Sequence, residues 1–588
     1  MGKRWHIKPH DTDRILALET TAQLSPIVAQ LLICRGVCDP QGARRFLDAK
    51  LSDLREPEEL PGATEAAARI YRAVGAGRDI VVYGDYDADG MTGTAILYLC
   101  LRMMGAKVSY YVPNRLAEGY GLHAEVVEQL ARRGASLVIS VDCGIASLAA
   151  AETAKQCGLE LIVTDHHEFA DSLPDAAAIV HPCLPGHRAT FPGLCGAGVA
   201  FKLAWAICCH ASQSKKVSEG MRGFLLSAIG LAAWGTVADV VPLVDDNRIL
   251  VRHGLVSLRE RPSVGVRALL QVMKLHEKPT LSSEDLAFGL APRLNAAGRL
   301  GQAQLGVELL TTDSAERGQS LAEYLNQLNS SRDSLERSAY LAAHKQIKER
   351  FDPDHDPAFV LSAPGWHPGV IGIVAGRLAE KYQRPVILIA VDQAGVKPAT
   401  GSGRSAGGLN LHHALGQCSE LLISHGGHAA AVGLHIDEKH VDGFRSAFCE
   451  YVASHRATED QQAGVQIDAE AILSQLTLKT VEQIERLAPF GAGNPRPVLC
   501  STQVQLAEPP RTLGGGDRHL ALKISQHNIK LRAVAFGQGD WLEELSQVNG
   551  PLDVAYRPVI NEYGGRRSVE IHLVDWRIAE RPALALDR

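Results

Sequence analysis

The sequence predicts an α/β protein built from a parallel-sheet domain, a long connecting helix, a second and smaller α/β domain, and a C-terminal β-barrel of OB type. Three observations carry this. Strand-like and helix-like segments alternate from about residue 65 to 180, a long polar run of helical period occupies 314–350, and a period-two hairpin pattern falls at 520–537. At 588 residues the chain exceeds a single core and should divide into about three to five domains.

The first domain reads in order. A helix-like "TEAAARIYRAV" precedes the strand "DIVVYG", the helix "TGTAILYLCLRMMGA" and the strand "KVSYYVP". The helix "AEVVEQLARRGA", the strand "SLVISVDCG", the helix "LAAAETAKQCG" and the strands "LELIVTDHH" and "AAIVHP" follow. Strands separated by helices of this length imply right-handed crossovers and a sheet covered on both faces. The run "SAERGQSLAEYLNQLNSSRDSLERSAYLAAHKQIKER" then reads as a helix joining two bodies. "AFVLSA", "GVIGIVAGRLAEKY" and "PVILIAV" begin the second α/β unit, and the polar "SHRATEDQQAG" reads as a linker. In "LALKISQHNIKLRAVAFG", Leu520, Leu522 and Ile524 alternate against polar or small neighbours, and Lys530 and Arg532 share the other strand's face.

Composition narrows the class. Hydrophobic residues make up 46% and charged residues 21%, with a net charge of −6, so the chain is no globally basic nucleic-acid coat. Residues 465–588 carry 14 Lys/Arg against 15 Asp/Glu, so any strand binding by the barrel rests on a local face. The first residues lack a signal-peptide core, and no stretch approaches the ~18 uninterrupted apolar residues of a span. A cytosolic location without membrane attachment is the expectation. The 12 cysteines lack paired CxxC spacing and are expected as reduced thiols.

The chemistry concentrates at strand ends. "GDYDADG" places Asp85, Asp87 and Asp89 after one strand, "VDCG" places Asp142 after another, and "TDHH" places Asp165, His166 and His167 after a third. "GLAAWGTVADVVPL" adds Asp239. Singly, each has a plain explanation: an Asp after a strand commonly caps the next helix, as Asp89 could. Together they are different, because in open parallel sheets the ligand crevice lies beyond the carboxyl ends of the strands. Like charges ~4 Å apart repel by about 4 kcal/mol per pair at an effective dielectric of ~20. Two divalent cations would cancel four carboxylates, and carboxylates with one imidazole suit Mn²⁺ or Mg²⁺. "GAGVAFKL" is no dinucleotide site, since no strand precedes it and no acidic partner is suitably placed.

"DYDADG", "VDCG", "TDHH" and "TVADVVPL" resemble the four successive motifs of the DHH phosphoesterase superfamily. The ordered strings "YVPNRLAEGYG", "APRLNAAGRL", "GWHPGVIGIVAGRL", "GSGRSAGGLNLHHAL", "SHGGHAAAVG" and "LAPFGAGNPRP" extend the resemblance, over nearly the whole chain, to its single-strand-specific exonuclease branch. The resemblance implies an N-terminal segment (1–60) packing on the catalytic domain, a DHH catalytic domain (61–270), a connecting segment (271–350), a DHH-associated substrate-binding domain (351–458) and an OB-like nucleic-acid-binding domain (459–588). It implies Asp87, Asp89, Asp142, His166 and Asp239 as ligands of two cations, Mn²⁺ or Mg²⁺, with Asp142 and Asp239 touching both. Asp85 and Asp165 would ligate or orient, and His167 would face the substrate phosphate. Arg115, Tyr120, Arg299, Ser402, Arg404 and His428 would hold the substrate.

The implied activity is 5′-to-3′ hydrolysis of single-stranded DNA to 5′-mononucleotides in recombination and repair. The implied partners are single-strand-binding protein and a RecQ-type helicase. The competing readings are a relative cleaving short oligonucleotides, cyclic dinucleotides or pyrophosphate, and a catalytically silent replication scaffold.

Overall fold

The computed structural model describes residues 4–169, 172–187, 191–353, 355–406, 408–455, 464–563 and 565–579. The chain falls into two compact units, Arg55–Val241 with Asp245–Gln461, and Met1–Leu54 with Pro242–Val244 and Gln462–Arg588.

In the larger unit, β1 (Asp79–Gly84), β2 (Lys107–Tyr111), β3 (Leu137–Val141), β4 (Glu160–Thr164) and β5 (Ala178–Val180) pair in the order 2-1-3-4-5, all parallel. "DIVVYG" does not alternate because both faces are covered: Ile80, Val81, Val82 and Tyr83 are all buried. The strand order reverses between β1 and β3, which makes the crevice beyond their carboxyl ends the topological switch point.

The helix α1 (Ala88–Met103) starts four residues before the "TGTAILYLCLRMMGA" pattern. Asp87 is extended, and its side chain accepts from the N–H groups of Asp89 and Gly90, so the acidic motif itself forms the first helical turn. The helices α2 (Gly196–Ser212) and α3 (Glu219–Ala238) pack on α1 and on each other. Among the described residues, α3 is the one unbroken helix with the length and apolar composition of a membrane span; 56% of that stretch is buried inside the protein.

The short helix α4 (Ala291–Arg299) and the long α5 (Ala315–Arg350) lead to the second half. The polar run does form one helix. Its narrow apolar stripe buries Leu321, Ala322 and Leu325 early, and it sends Ala339, Ala343 and Ile347 into the core of the second sheet. That sheet is mixed: β6 (Phe359–Pro364), β7 (Val386–Val391), β8 (Ala399–Arg404), β9 (Ser424–Gly427) and β10 (Ala431–Ile436) pair in the order 9-10-8-7-6. Only β6 and β7 in it run parallel. The helix α6 (Pro368–Tyr382) packs on β7 and β8.

The smaller unit holds a closed five-stranded barrel. Leu499–Leu513, His519–Gln526 and Ile529–Ala535 form an antiparallel meander, Arg566–Ile578 pairs in parallel with Ile529–Ala535, and Leu552–Tyr563 closes the ring. This is the OB topology. Leu520, Leu522 and Ile524 are buried as the alternation required. The expected basic face is partly neutralised: Lys530 is exposed, but Arg532 pairs with Glu570 at 3.2 Å and Lys523 with Glu508 at 2.8 Å.

The N-terminal segment divides between the two units. Leu18, Val28, Leu31 and Leu32 share one core with Leu487, Leu499, Leu520 and Tyr556, and Trp5–Ile7 pairs in parallel with Val465–Ile467, whereas Arg55 bonds Asp246 within the larger unit. "PIVAQLLI" is apolar nearly all round and must be buried on most faces, but its local pattern does not say against what. Of the proposed linker and the boundary at 458, residues 456–463 lie outside the described residues.

One buried ion pair supports the catalytic half. Lys202 and Asp246 lie 2.8 Å apart with both side chains 2% exposed, and the Arg55 N–H also donates to Asp246. Replacing Asp246 by Ala strands the Lys202 charge and should destabilise the protein by about 3–5 kcal/mol. Denaturant unfolding of the variant measures this; a loss under about 1 kcal/mol would mean that Lys202 finds another partner.

Candidate metal centre

Three neighbouring strands end alike. The N–H of Asp85 donates to the Val141 carbonyl at 3.2 Å, that of Asp142 to Thr164 at 3.0 Å, and that of Asp165 to Val180 at 3.2 Å. The parallel register thus lines up one aspartate just past each of β1, β3 and β4. Asp142 takes a left-handed φ of 64°, which a short polar side chain tolerates.

Asp89 does not cap its own helix, a task taken by Asp87. Its carboxylate accepts instead from the N–H groups of Gly196 and Ala197, at 2.6 and 2.9 Å, and so plugs the N-terminus of α2. The glycine-rich start of α2 is therefore occupied by a side chain. Asp239 ends α3. The close approach of α3 to Asp89 requires Gly235, where a Cβ would lie 2.4 Å from Asp89 Oδ1.

These groups converge. Ligand atoms of Asp85, Asp87 and Asp142 lie within 4.8 Å of one another, and so do those of Asp89, His166 and Asp239; a third trio joins Asp142 with His166 and His167. Asp142 thus belongs to two trios and Asp239 to one. His166 Nε2 is 3.1 Å from Asp142 Oδ1, 3.7 Å from Asp239 and 3.9 Å from Asp89. Asp85 Oδ1, Asp142 Oδ1 and His166 Nε2 are nevertheless buried without a hydrogen-bond partner. Orphaned buried polar atoms call for a missing partner, and acceptor-only oxygens beside an imidazole nitrogen fit a hard divalent cation. The donor set therefore fits such an ion.

Electrostatics agree. Burial, followed by the neighbouring carboxylates, raises the pKa of Asp142 well above the usual range, and burial with Asp87 does the same to Asp85. Burial also raises Asp89, and together with the charges of Asp89 and Asp87 it pushes Asp239 up to about 8. Asp165 differs. Burial would raise it, but the His167 ring and backbone N–H donors outweigh that and hold it low. Its oxygens accept from the N–H groups of Ile145, His166 and His167, and its Oδ1 lies 2.8 Å from His167 Nδ1. Burial lowers His167, yet its bond to Asp165 and the surrounding carboxylates carry it up to about 9. Burial keeps His166 low, in the form a ligand needs.

A cationic group adjoins the acids. Arg299 is lowered to about 10 by burial and by Arg115, Arg332 and Arg404, and Arg404 is lowered by burial and Arg115. Arg404 donates to Ser402 Oγ at 3.1 Å, and Arg115 lies 4.8 Å over the Tyr86 ring. Tyr120 is half exposed, with its hydroxyl 3.1 Å from His167 Nδ1 and donating to the Asp142 carbonyl at 3.2 Å. His428 stands apart from both clusters: it is exposed, and its Nδ1 lies 4.0 Å from Glu168, the residue after His167. Sequence reasoning passed over two contacts of the acidic loop. Tyr86 underlies Arg115, and Asn295 Oδ1 accepts from the Ala88 N–H at 2.9 Å. "APRLNAAGRL" contained Asn295, but nothing local linked it to residue 88.

A 2-1-3-4-5 parallel sheet with an aspartate-histidine cluster at its switch point and a mixed-sheet partner domain defines a DHH-type phosphoesterase. Family models match accordingly: "DHH family, N-terminal domain" over residues 79–229, "DHHA1 domain" over 355–454 and "RecJ OB domain" over 467–575. The single-stranded-DNA-specific exonuclease RecJ of Escherichia coli strain K12 is 35% identical, covering 94% of this chain and 95% of its own length. That of Bacillus subtilis strain 168 is also 35% identical, covering 98% of this chain and 71% of its own. The crystal structure of RecJ from Thermus thermophilus in complex with Mn²⁺ superposes with a TM-score of 0.82 at 32% identity, covering 98% of this chain and 80% of that one. This chain belongs to the RecJ family.

The raised carboxylates give a signed expectation. Between the ordinary carboxylate pKa of 3.8 and about 8, the folded metal-free protein binds more protons at Asp239 than the unfolded chain does. Its stability therefore falls as pH rises through that window. A divalent cation displaces those protons and removes the repulsion. The rise in Tm on adding Mn²⁺ to chelator-treated protein should thus be larger at pH 8 than at pH 6. An equal rise at both, by differential scanning fluorimetry, would mean that the acids are not the groups engaged.

Proposed function

We propose that the chain is a single-stranded-DNA-specific exonuclease that hydrolyses its substrate from the 5′ end with two divalent cations, Mn²⁺ or Mg²⁺, and releases 5′-mononucleotides. The observation that carries this is the pair of separate trios, Asp85/Asp87/Asp142 and Asp89/His166/Asp239, beside a group of arginines with few acidic partners. Asp87, Asp89, Asp142, His166 and Asp239 would hold the ions, with Asp85 completing the first trio. When bound, such ions polarise the scissile phosphodiester and the attacking water and stabilise the leaving oxygen.

The chain's own residues do the rest. Asp165 orients His167 and keeps it protonated near neutral pH, so that its positive edge faces the phosphate on which charge develops. Arg115, Arg299, Ser402 and Arg404 bind the terminal phosphate; forked guanidinium groups suit its oxygens better than ammonium groups would. Arg299 and Arg404 are half-buried and repel each other, so a phosphate arriving there relieves that repulsion as well as forming hydrogen bonds. Tyr120 stacks against the first nucleotide, and His428 contacts the strand further out. A role in recombination and repair, with single-strand-binding protein and a RecQ-type helicase as partners, completes the reading. The acids and His166 are all in place, which disfavours a silent scaffold, and the OB barrel favours long strands over dinucleotides.

The test is digestion of an end-labelled oligonucleotide with Mn²⁺. Label at the 5′ end should be released first from a single strand and not from a blunt duplex. First release from the 3′ end, or equal cleavage of a dinucleotide, would overturn the reading. Asp142→Ala should lower the rate by more than about 100-fold. Arg404→Ala should cost about 1.5–3 kcal/mol of transition-state binding, roughly 10–150-fold in kcat/KM. It should do so for 5′-phosphorylated strands, and much less for 5′-hydroxyl strands.

A further inference from the structure

The acidic loop is held from outside by one helix. The N–H of Ala88, the first residue of α1, is an orphan donor of a helix start, and Ala88 is 1% exposed, so water does not reach it. Asp87 Oδ1 already serves the next two donors, Asp89 N–H at 2.9 Å and Gly90 N–H at 3.0 Å. Asn295 Oδ1 closes the set by accepting from Ala88 at 2.9 Å. An amide suits this position because it supplies the acceptor without adding another negative charge beside the acids.

The same helix touches the loop again one turn on. At Gly298 a Cβ would fall 2.1 Å from the Tyr86 carbonyl oxygen, so α4 rests directly on the backbone of the motif. Arg299, four residues after Asn295 and so on the same side of the helix, donates to the Gly369 carbonyl at 3.2 Å at the start of α6. One short helix therefore carries both an arginine of the phosphate-binding group and the residue that fixes the metal loop.

We infer that Asn295 is a positioning residue. By capping Ala88 it leaves Asp87 Oδ1 to Asp89 and Gly90, so that the carboxylate keeps its place beside Asp85 and Asp142, and α4 links that geometry to Arg299. This deepens the function proposed above and rests on its reading of the acids as a cation site. Without Asn295, Ala88 competes for the Asp87 carboxylate, and the Asp85/Asp87/Asp142 trio loosens while Asp89, His166 and Asp239 keep their own supports.

The test is Mn²⁺ binding to the full chain without DNA, read as free Mn²⁺ by electron paramagnetic resonance. In Asn295→Leu, one of two ions should bind about 10–100-fold more weakly, with the other unchanged. Asn295→Asp, which keeps the acceptor but adds a charge, should bind the first ion more tightly than the Leu variant does. Should the Leu variant fail to fold, Asn295→Ser, too short to reach Ala88, replaces it with the same expectation. Two ions bound as in wild type by the Leu or Ser variant would overturn the inference alone, as would equal weakening in the Asp variant. A wild-type chain that binds no Mn²⁺ would sink the proposed function as well.

Discussion

The structure turns on one electrostatic constraint: carboxylates on separate strands are forced together where a parallel sheet reverses its order. Unit charges ~4 Å apart repel by about 4 kcal/mol at an effective dielectric of ~20, and burial adds a further penalty to each ionised form. Asp85 and Asp142 are adjacent because Gly84 and Val141 are paired in the register of β1 and β3. The register that builds the hydrophobic core is thus the one that assembles the charge, and neither can relax without the other.

The surroundings are arranged to bear that charge. Asp89 is held by two N–H groups at the start of α2, Asp87 by two at the start of α1, and Asp165 by three backbone donors. Asp85 Oδ1 and Asp142 Oδ1, by contrast, are buried without a hydrogen-bond partner, and the second lies 3.1 Å from His166 Nε2. The arginines mirror the acids: Arg299 is repelled by Arg115, Arg332 and Arg404 and attracted by Asp87. Opposed clusters of this kind are each unfavourable alone, and the proposed function gives each a counter-charge: a cation for the acids and a phosphate for the arginines.

Much of this was legible in the sequence, and the failures have physical reasons. "DIVVYG" marks β1 at its observed bounds because a strand buried on both faces is apolar throughout. The strand-end aspartates were legible because alternation of strands and helices fixes the topology, and topology fixes the crevice. The helical pattern "TGTAILYLCLRMMGA" starts four residues after α1 does, since the capping side chain is one of the site's own acids. Asn295 and the burial of Asp89 against α2 depend on contacts across more than a hundred residues, which no local pattern encodes. For the same reason no local pattern shows that Leu18, Val28, Leu31 and Leu32 pack with Leu499, Leu520 and Tyr556. Lys530 and Arg532 did share a face, but the carboxylate that neutralises Arg532 comes from another strand.

The central claim is that the acids at the strand ends exist to hold divalent cations. The most direct measurement is anomalous diffraction at the manganese edge from crystals soaked in Mn²⁺. The account predicts two peaks, one among Asp85, Asp87 and Asp142 and one among Asp89, His166 and Asp239. A map with no peak there, or with a peak only at surface carboxylates, would contradict it.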